Sequence, residues 1–231
     1  MNQFYAAPNQ VSSRELRLTG QEAKHASKVL RLKEGDSIRV TDGKGAIYEA
    51  VVRAVSKGEL LADVHQKKTL SKPADVILCL GLIRKRDRLE FAVEKATELG
   101  ISGIFLFEAD HSEPFKVRVD RIEKAVLQAM KQSLRAFLPG VKLFASLDKL
   151  LNAVPVNAEL IEAAQDGDGF TDIINNSTGE RYLFVGPEGG LSIREKTLLQ
   201  ERNTRRVILA QYRLRAETAA IVMAERFRNI E

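Results

Sequence analysis

The chain has 231 residues, 44% of them hydrophobic and 29% charged, with a formal net charge of +5. This is ordinary globular usage, which excludes a disordered or fibrous chain, and the length predicts one medium domain with a small companion. No run of about 18 apolar residues offers a membrane span and the first residues lack a signal-peptide pattern, so a cytoplasmic protein is expected.

A single cysteine, Cys79, lies inside the apolar run Val76–Leu80. It excludes an intramolecular disulfide and reads as an inert core thiol, and His25, His65 and His111 lack metal-ligand spacing, so no metal is expected. Residues 1–70 hold 12 Lys and Arg against 8 Asp and Glu, 71–140 hold 12 against 10, and 141–231 hold 12 against 13. The positive excess at the front suits a module that grips a polyanion, or simply a soluble surface.

From Phe4 to about Lys68 the pattern is that of short strands. Arg14–Leu18 and Ser37–Val40 alternate, Ile47–Val52 is β-branched and aromatic, and Asp42-Gly43 supplies turn chemistry. One helix is expected there, capped by Thr19 with Glu22 and carrying Ala23, Ala26, Val29 and Leu30 at helical intervals. Its polar positions include Lys24, His25, Lys28 and Arg31, and Lys24, Lys28 and Arg31 are candidates for contact with a polyanion.

Ser71-Lys72-Pro73 predicts a linker, giving domains at 1–70 and 71–231. Val76–Leu82 and Ile104–Phe107 read as buried parallel strands. Asp87 with Glu90 predicts a helix that Gly100 closes, and Asp120 with Glu123 a longer one whose apolar positions run from Ile122 to Phe137 before Pro139-Gly140. Further strands are expected at Glu159–Ala163, Tyr182–Val185 and Arg206–Leu209, with helices near Ser146–Ala153, Ser192–Arg202 and Ala216–Arg228. Alternating strand and helix predicts an α/β domain with a mainly parallel sheet, whose ligands bind beyond the carboxyl ends of the strands.

Two late loops carry the chemistry. Gly186-Pro187-Glu188-Gly189-Gly190-Leu191-Ser192 takes a buried strand into a helix capped by Ser192 with Glu195. Its glycines let backbone approach a flat or charged ligand, although a tight connection without a ligand has the same look. It matches neither the Walker A nor the G-x-G-x-x-G pattern, which weighs against a common nucleotide-binding enzyme. Leu209-Ala210-Gln211-Tyr212-Arg213-Leu214-Arg215 then feeds the alanine-rich segment from Ala216, and its two arginines fit recognition of a phosphate or carboxylate, or plain solvation. Arg84-Lys85-Arg86 forms a further basic cluster, either a phosphate contact or a solvated strand end.

Taken together, Gly186–Ser192 and Arg213-Leu214-Arg215-Ala216-Glu217-Thr218-Ala219 resemble the paired signature of the RsmE-type 16S ribosomal RNA uridine-N3 methyltransferases of the SPOUT superfamily. Lys95-Ala96-Thr97-Glu98-Leu99-Gly100 resembles another motif of that family, and His25 through Asp42-Gly43-Lys44-Gly45 its N-terminal PUA-like domain, so the likeness spans nearly the whole chain. The resemblance implies a PUA-like β-barrel domain followed by a trefoil-knotted SPOUT domain that acts as a homodimer. It also implies a cofactor, S-adenosylmethionine, held by Glu162, Gly186, Pro187, Glu188, Gly189, Gly190, Leu209, Gln211, Leu214 and Arg215. Methylation of uridine N3 needs an in-line donor and loss of the imide proton; Arg215 and Glu217 are the catalytic candidates, Glu217 reading also as an ordinary glutamate at a helix start. A non-catalytic RNA-binding or ribosome-assembly factor on the same scaffold is the alternative. Two positions depart from the family pattern: Ala210 replaces its usual glycine, and Asp110-His111-Ser112-Glu113-Pro114 replaces its usual Thr-Glu-Arg-Ser, at a loop expected to face RNA or the second subunit.

Overall fold

The structure, a computed structural model, describes residues 3–113, 116–168 and 179–227, the side chain of Asp168 excepted. The chain forms two compact units, residues 1–72 with 130–138 and residues 73–129 with 139–231.

The smaller unit is a curled five-stranded sheet, a half-barrel. Its strands are β1 (Gln3–Tyr5), β2 (Glu15–Thr19), β3 (Ser37–Thr41), β4 (Ala46–Ser56) and β5 (Glu59–Thr69), in the order β1-β3-β4-β5-β2. β1 pairs with β3 in parallel and the other neighbours are antiparallel. Alternation puts Leu16, Leu18, Ile38, Val40, Val52 and Leu60 on one face, where they close over Phe4 and Ala26. The expected helix is short: α1 (Gly20–Lys24) passes into a π turn over His25–Val29. Its capping box does not form. Thr19 accepts no capping hydrogen bond, and Glu22 instead accepts from the Tyr5 amide at 3.1 Å and pairs with Lys131 at 2.5 Å.

Lys131 brings in a segment that the sequence pattern places elsewhere. The long helix α3 (Val119–Gln132) stops at Gln132 and not at Phe137, because Leu134 turns left-handed at φ 58°. The backbone that follows serves the smaller unit: the Ala136 carbonyl accepts from Thr41 Oγ1 and from the Gly45 amide, and the Arg135 carbonyl from Gln3 Nε2. Apolar spacing carried past Gln132 because Leu134 and Phe137 keep the helical interval without the helix.

The larger unit is a six-stranded, all-parallel sheet of order β11-β9-β10-β6-β7-β8. Its strands are β6 (Val76–Gly81), β7 (Gly103–Phe107), β8 (Gly140–Phe144), β9 (Glu159–Asp168), β10 (Arg181–Val185) and β11 (Arg205–Val207). β8 lies just beyond the Pro139-Gly140 breaker and escaped the pattern, while β9 is longer and β11 shorter than expected. β6 is buried along its whole length, as a strand covered on both faces must be. On one face α4 (Leu147–Leu151) and α5 (Ile193–Glu201) pack Leu147, Leu150 and Leu199 against Cys79, Phe105 and Phe184. The other face carries α6 (Ala216–Phe227), against β6, β10 and α2 (Arg86–Glu98). α2 starts at Arg86 without the Asp87 side-chain cap expected of it. Arg228, the expected end of α6, lies outside the described residues.

β10 is inserted between β6 and β9, so a later strand lies between two earlier ones. After β11, on the sheet edge, the chain returns to lay α6 over the central strands β10 and β6. The end of β9 and the segments after β10 and β11 thereby meet around one cavity.

Leu78 is fully buried in the central strand. Leu78→Ala should cost about 2–5 kcal/mol in urea unfolding, the range for a leucine cavity in a close-packed core. A loss under about 1 kcal/mol would contradict the packing described.

Candidate active site

The strand ends open into one cleft of about 1050 Å3 in the larger unit. Its walls are the end of β9 from Glu162 to Asp166, the turn after β10 from Gly186 to Leu191, and the segment from Ile208 to Ala216. The two late loops thus share a single cavity.

The glycine-rich turn is held from three sides. The Gly190 amide donates to the Pro187 carbonyl at 2.9 Å, and Gly190 sits at φ 73°, where a side chain would strain the backbone. Pro187 lies so close to β6 that a β-carbon on Gly81 would stand 2.6 Å from the Pro187 ring and 2.7 Å from its nitrogen. At its exit the turn is tied by a formed capping box: Ser192 Oγ accepts from the Glu195 amide, and Glu195 Oε2 from the Ser192 amide at 2.9 Å. Glu195 is fully buried, and its other oxygen accepts from the Asp110 amide at 3.1 Å.

Asp110 completes this anchor. Its carboxylate accepts from Ser192 Oγ at 2.5 Å and from Arg194, which also reaches Asp148. Arg194 first, then Ser192, holds the Asp110 carboxyl below the usual carboxylate range. His111 packs on the same turn, leaving a β-carbon at Gly189 only 2.9 Å of room. The segment departing from the family pattern at Asp110 and His111 therefore buttresses the glycine-rich turn. Glu113 pairs with Arg84 at 2.5 Å; Pro114 lies outside the described residues.

Of the residues singled out for the cofactor, Glu162, Gly186, Pro187, Glu188, Gly190, Leu209, Gln211, Leu214 and Arg215 line the cleft, whereas Gly189 does not. Ala210 lines it too without a positive φ, so this loop has no need of a glycine there. Arg213 donates from Nη2 to the Glu188 carbonyl at 3.5 Å, linking the two loops. Arg215 is exposed, and its carbonyl accepts from the Ala219 amide in the first turn of α6. Glu217, the other catalytic candidate, does not line the cleft: it is buried against α2, with Oε1 3.4 Å from Arg88 Nε. Among the basic candidates, Arg84, Lys85 and Arg86 are exposed around the start of α2 without lining the cleft, and Lys24, Lys28 and Arg31 are exposed in the smaller unit.

Sequence reading missed Arg206 and Lys196 as cleft residues. Arg206 Nε lies 3.4 Å from Glu162 Oε2, and its Nη2 reaches Asp166 at 2.5 Å. Glu162 and Arg206 are an ion pair without hydrogen-bond geometry, since both facing atoms are buried and unsatisfied among the described residues. Burial pushes the Glu162 carboxyl above its ordinary range, and Arg206 and Lys196 pull it back only in part. Two adjacent arginines before the loop were the available signal, but they read equally well as the polar start of a strand.

Cys79 is wholly buried, burial pushes its thiol up, and it does not line the cleft. With no other cysteine in the chain, attack by a thiolate on a ligand in the cleft has no nucleophile. Among the described residues no cluster of three or more His, Cys, Asp or Glu is placed to hold a metal ion, and no helix is long and apolar enough to cross a membrane.

Comparison with known proteins follows the same lines. Residues 70–228 match the model of the RNA methyltransferase domain and residues 18–64 that of the RNA methyltransferase PUA domain. The ribosomal RNA small subunit methyltransferase E of Rickettsia conorii is 30% identical over 230 residues, 95% of this chain and 92% of that one. The chain belongs to the ribosomal RNA small subunit methyltransferase E family. The member from Neisseria gonorrhoeae, solved bound to S-adenosyl methionine, superposes with a TM-score of 0.86 at 26% identity, covering 97% of this chain and 95% of that one. A probable rRNA-methyltransferase from Porphyromonas gingivalis gives 0.86 at 27% identity, with 97% and 96% covered. The SPOUT-type α/β domain with a parallel sheet, preceded by a PUA-like β domain, is thus borne out.

The Glu162 carboxyl sets a pH signature. Its folded-state pKa is raised, so between the unfolded value of about 4.3 and the higher native value the folded chain binds more protons, and stability falls as pH rises through that window. Asp110 acts oppositely and lower: its depressed pKa gives stability that is present above about pH 4 and lost as pH falls through its native value. Urea titrations across pH 3 to 8 should show Glu162→Gln removing the decline above pH 4 and leaving the acid limb in place. An unchanged upper limb would contradict the desolvated carboxylate.

Proposed function

We propose that this chain transfers a methyl group from S-adenosylmethionine to N3 of a uridine in 16S ribosomal RNA. That it is an RNA methyltransferase follows from its family; the donor, the base and the roles of individual residues are our reading of the cleft. The observation that carries it is the convergence of the two signature loops and the acidic end of β9 on one cavity.

The cavity suits the donor. The glycine-rich turn offers backbone to a flat group, Leu209 and Leu214 supply apolar wall, and Glu188 brings a carboxylate into the same cavity. Residues Gly186, Pro187, Glu188, Gly190, Leu209, Gln211 and Leu214 would hold it, with Glu162 beneath. S-adenosylmethionine supplies an electrophilic methyl on a sulfonium, so the protein's task is largely positioning and charge stabilisation.

Loss of the imide proton puts negative charge on the uracil oxygens. Arg215, exposed in the cleft wall, is the cation we assign to them. Glu162 and Asp166 are engaged with Arg206, which leaves Glu188 as the cleft carboxylate to receive the proton. Glu217, turned toward Arg88, is a positioning residue for the start of α6. Without a thiolate in the cleft, activation of the ring by a cysteine adduct at C6 is not available, which favours transfer to nitrogen.

We assign Lys24, Lys28 and Arg31 in the smaller unit, and Arg84, Lys85 and Arg86 in the larger, to the RNA backbone. The family resemblance further leads us to read the return of the chain from β11 to α6 as the trefoil knot, and two copies as the working unit in the cytoplasm, which sedimentation tests.

Calorimetric titration with S-adenosylmethionine should show one site per chain. Nucleoside mass spectrometry of small-subunit RNA treated with protein and donor should show 3-methyluridine; a folded protein that neither binds the donor nor forms that nucleoside sinks the reading. Arg215→Ala should lower kcat on the order of 10²–10³-fold, as for a lost charge-stabilising donor, while stability moves by less than about 0.5 kcal/mol. Equal losses in both would remove Arg215 from catalysis. In RNA binding, Lys24→Ala with Lys28→Ala should flatten the dependence of log K on log salt by about one for each phosphate no longer neutralised.

A further inference from the structure

Of the four tyrosines in the chain, Tyr48 and Tyr182 are buried at 5% and 4% exposure and Tyr5 is half-buried, whereas Tyr212 is 78% exposed. It is also the one aromatic residue lining the cleft among the described residues. Its phenol makes no hydrogen bond among the described residues, so neither packing nor a polar partner accounts for a large ring at this place. A scattered exposed apolar side chain needs no explanation, but this one stands between Gln211 and Arg213 on the wall that also carries Arg215.

Resting on the reading of the cleft as the donor site, we propose that Tyr212 is the stacking platform for the target base, receiving a pyrimidine extruded from the RNA. N3 of a uracil lies on its pairing edge and cannot meet a methyl donor while the base is paired. Enzymes acting on such atoms draw the base out of its stack, at a cost that the pocket must offset. An aromatic face does so without regard to base identity, because every base has a π face. The neighbouring guanidiniums complete the arrangement: Arg213 is tied to the Glu188 carbonyl and fixes the loop, and Arg215 two residues further on faces the same cavity. Selection of uracil then falls to the polar groups and the ring to holding the base, so Tyr212 sets affinity for RNA and not for the donor.

The test compares wild type, Tyr212→Ala and Tyr212→Phe in three measurements: calorimetry with S-adenosylmethionine, fluorescence anisotropy with a labelled small-subunit RNA fragment, and methyl transfer to that RNA. Tyr212→Ala should weaken RNA binding and raise KM for RNA on the order of ten- to a hundred-fold, the range for one stacked base. Its donor affinity should stay within about twofold of wild type, the RNA-specific loss being what a stacking role requires. Tyr212→Phe, which keeps the ring, should restore both RNA measures. An active wild type whose KM and RNA affinity are unmoved in Tyr212→Ala overturns this proposal and leaves the function standing. An equal loss of donor affinity overturns it also, by placing the ring on the donor. A wild type that binds no donor and transfers no methyl overturns the reading of the cleft, and this proposal with it.

Discussion

The close approach of the glycine-rich turn to the end of β6 is the constraint on which the site depends. Gly81 has no β-carbon, and only that lets the Pro187 ring and nitrogen lie against the strand. The turn leaving β10 is thereby pressed into the sheet end, where it meets the chain returning from β11. The other side is fixed by Glu195, a buried carboxylate that satisfies the Ser192 and Asp110 amides together. Buried carboxylates are tolerable when their oxygens are taken up in this way, and such a group then specifies one geometry. Sterics on one flank and hydrogen bonds on the other hold the turn without any contribution from a ligand.

The opposite wall is built on less settled terms. Glu162 and Arg206 oppose each other at 3.4 Å with both facing atoms unsatisfied, while Arg206 spends another nitrogen on Asp166. Removing two charges from water without completing their hydrogen bonds is costly, and buried pairs of this kind often contribute nothing to stability. Such a cost is tolerated where a site needs charge, and the pair lies under the cavity that both signature loops face. The two walls are therefore built differently: one is fixed by sterics and satisfied hydrogen bonds, the other by ion pairs left incompletely satisfied.

How much of this was legible depends on whether the deciding partner was local. Ser192 and Glu195 stand three apart and form their capping box, whereas Thr19 and Glu22 have the same spacing and do not. The difference is Lys131, more than a hundred positions away, which together with the Tyr5 amide takes the Glu22 carboxylate. The end of α3 was missed for a similar reason: apolar spacing continues through Phe137, but Ala136 gives its carbonyl to Thr41 and Gly45 instead. Periodicity records which side chains are buried and not which element buries them. The two signature loops were legible because glycine, proline and paired arginines are local constraints; the Asp110 to Arg194 tie, spanning 84 positions, was not.

Glu217 shows what a motif match leaves undecided. It lies inside the family signature, two positions beyond Arg215, and on sequence it read either as a proton acceptor or as an ordinary glutamate at a helix start. The start of a helix separates them. Residues two apart at a helix start project in directions roughly 200° apart, so when Arg215 lines the cleft Glu217 is carried to the far side, against α2 and Arg88. Its buried, incompletely satisfied carboxylate then secures the first turn of α6 to α2, and that turn is the one whose amide at Ala219 is capped by the Arg215 carbonyl. Two positions of one short motif at the start of a packed helix are thereby sent to different surroundings, Arg215 to the cleft and Glu217 to α2.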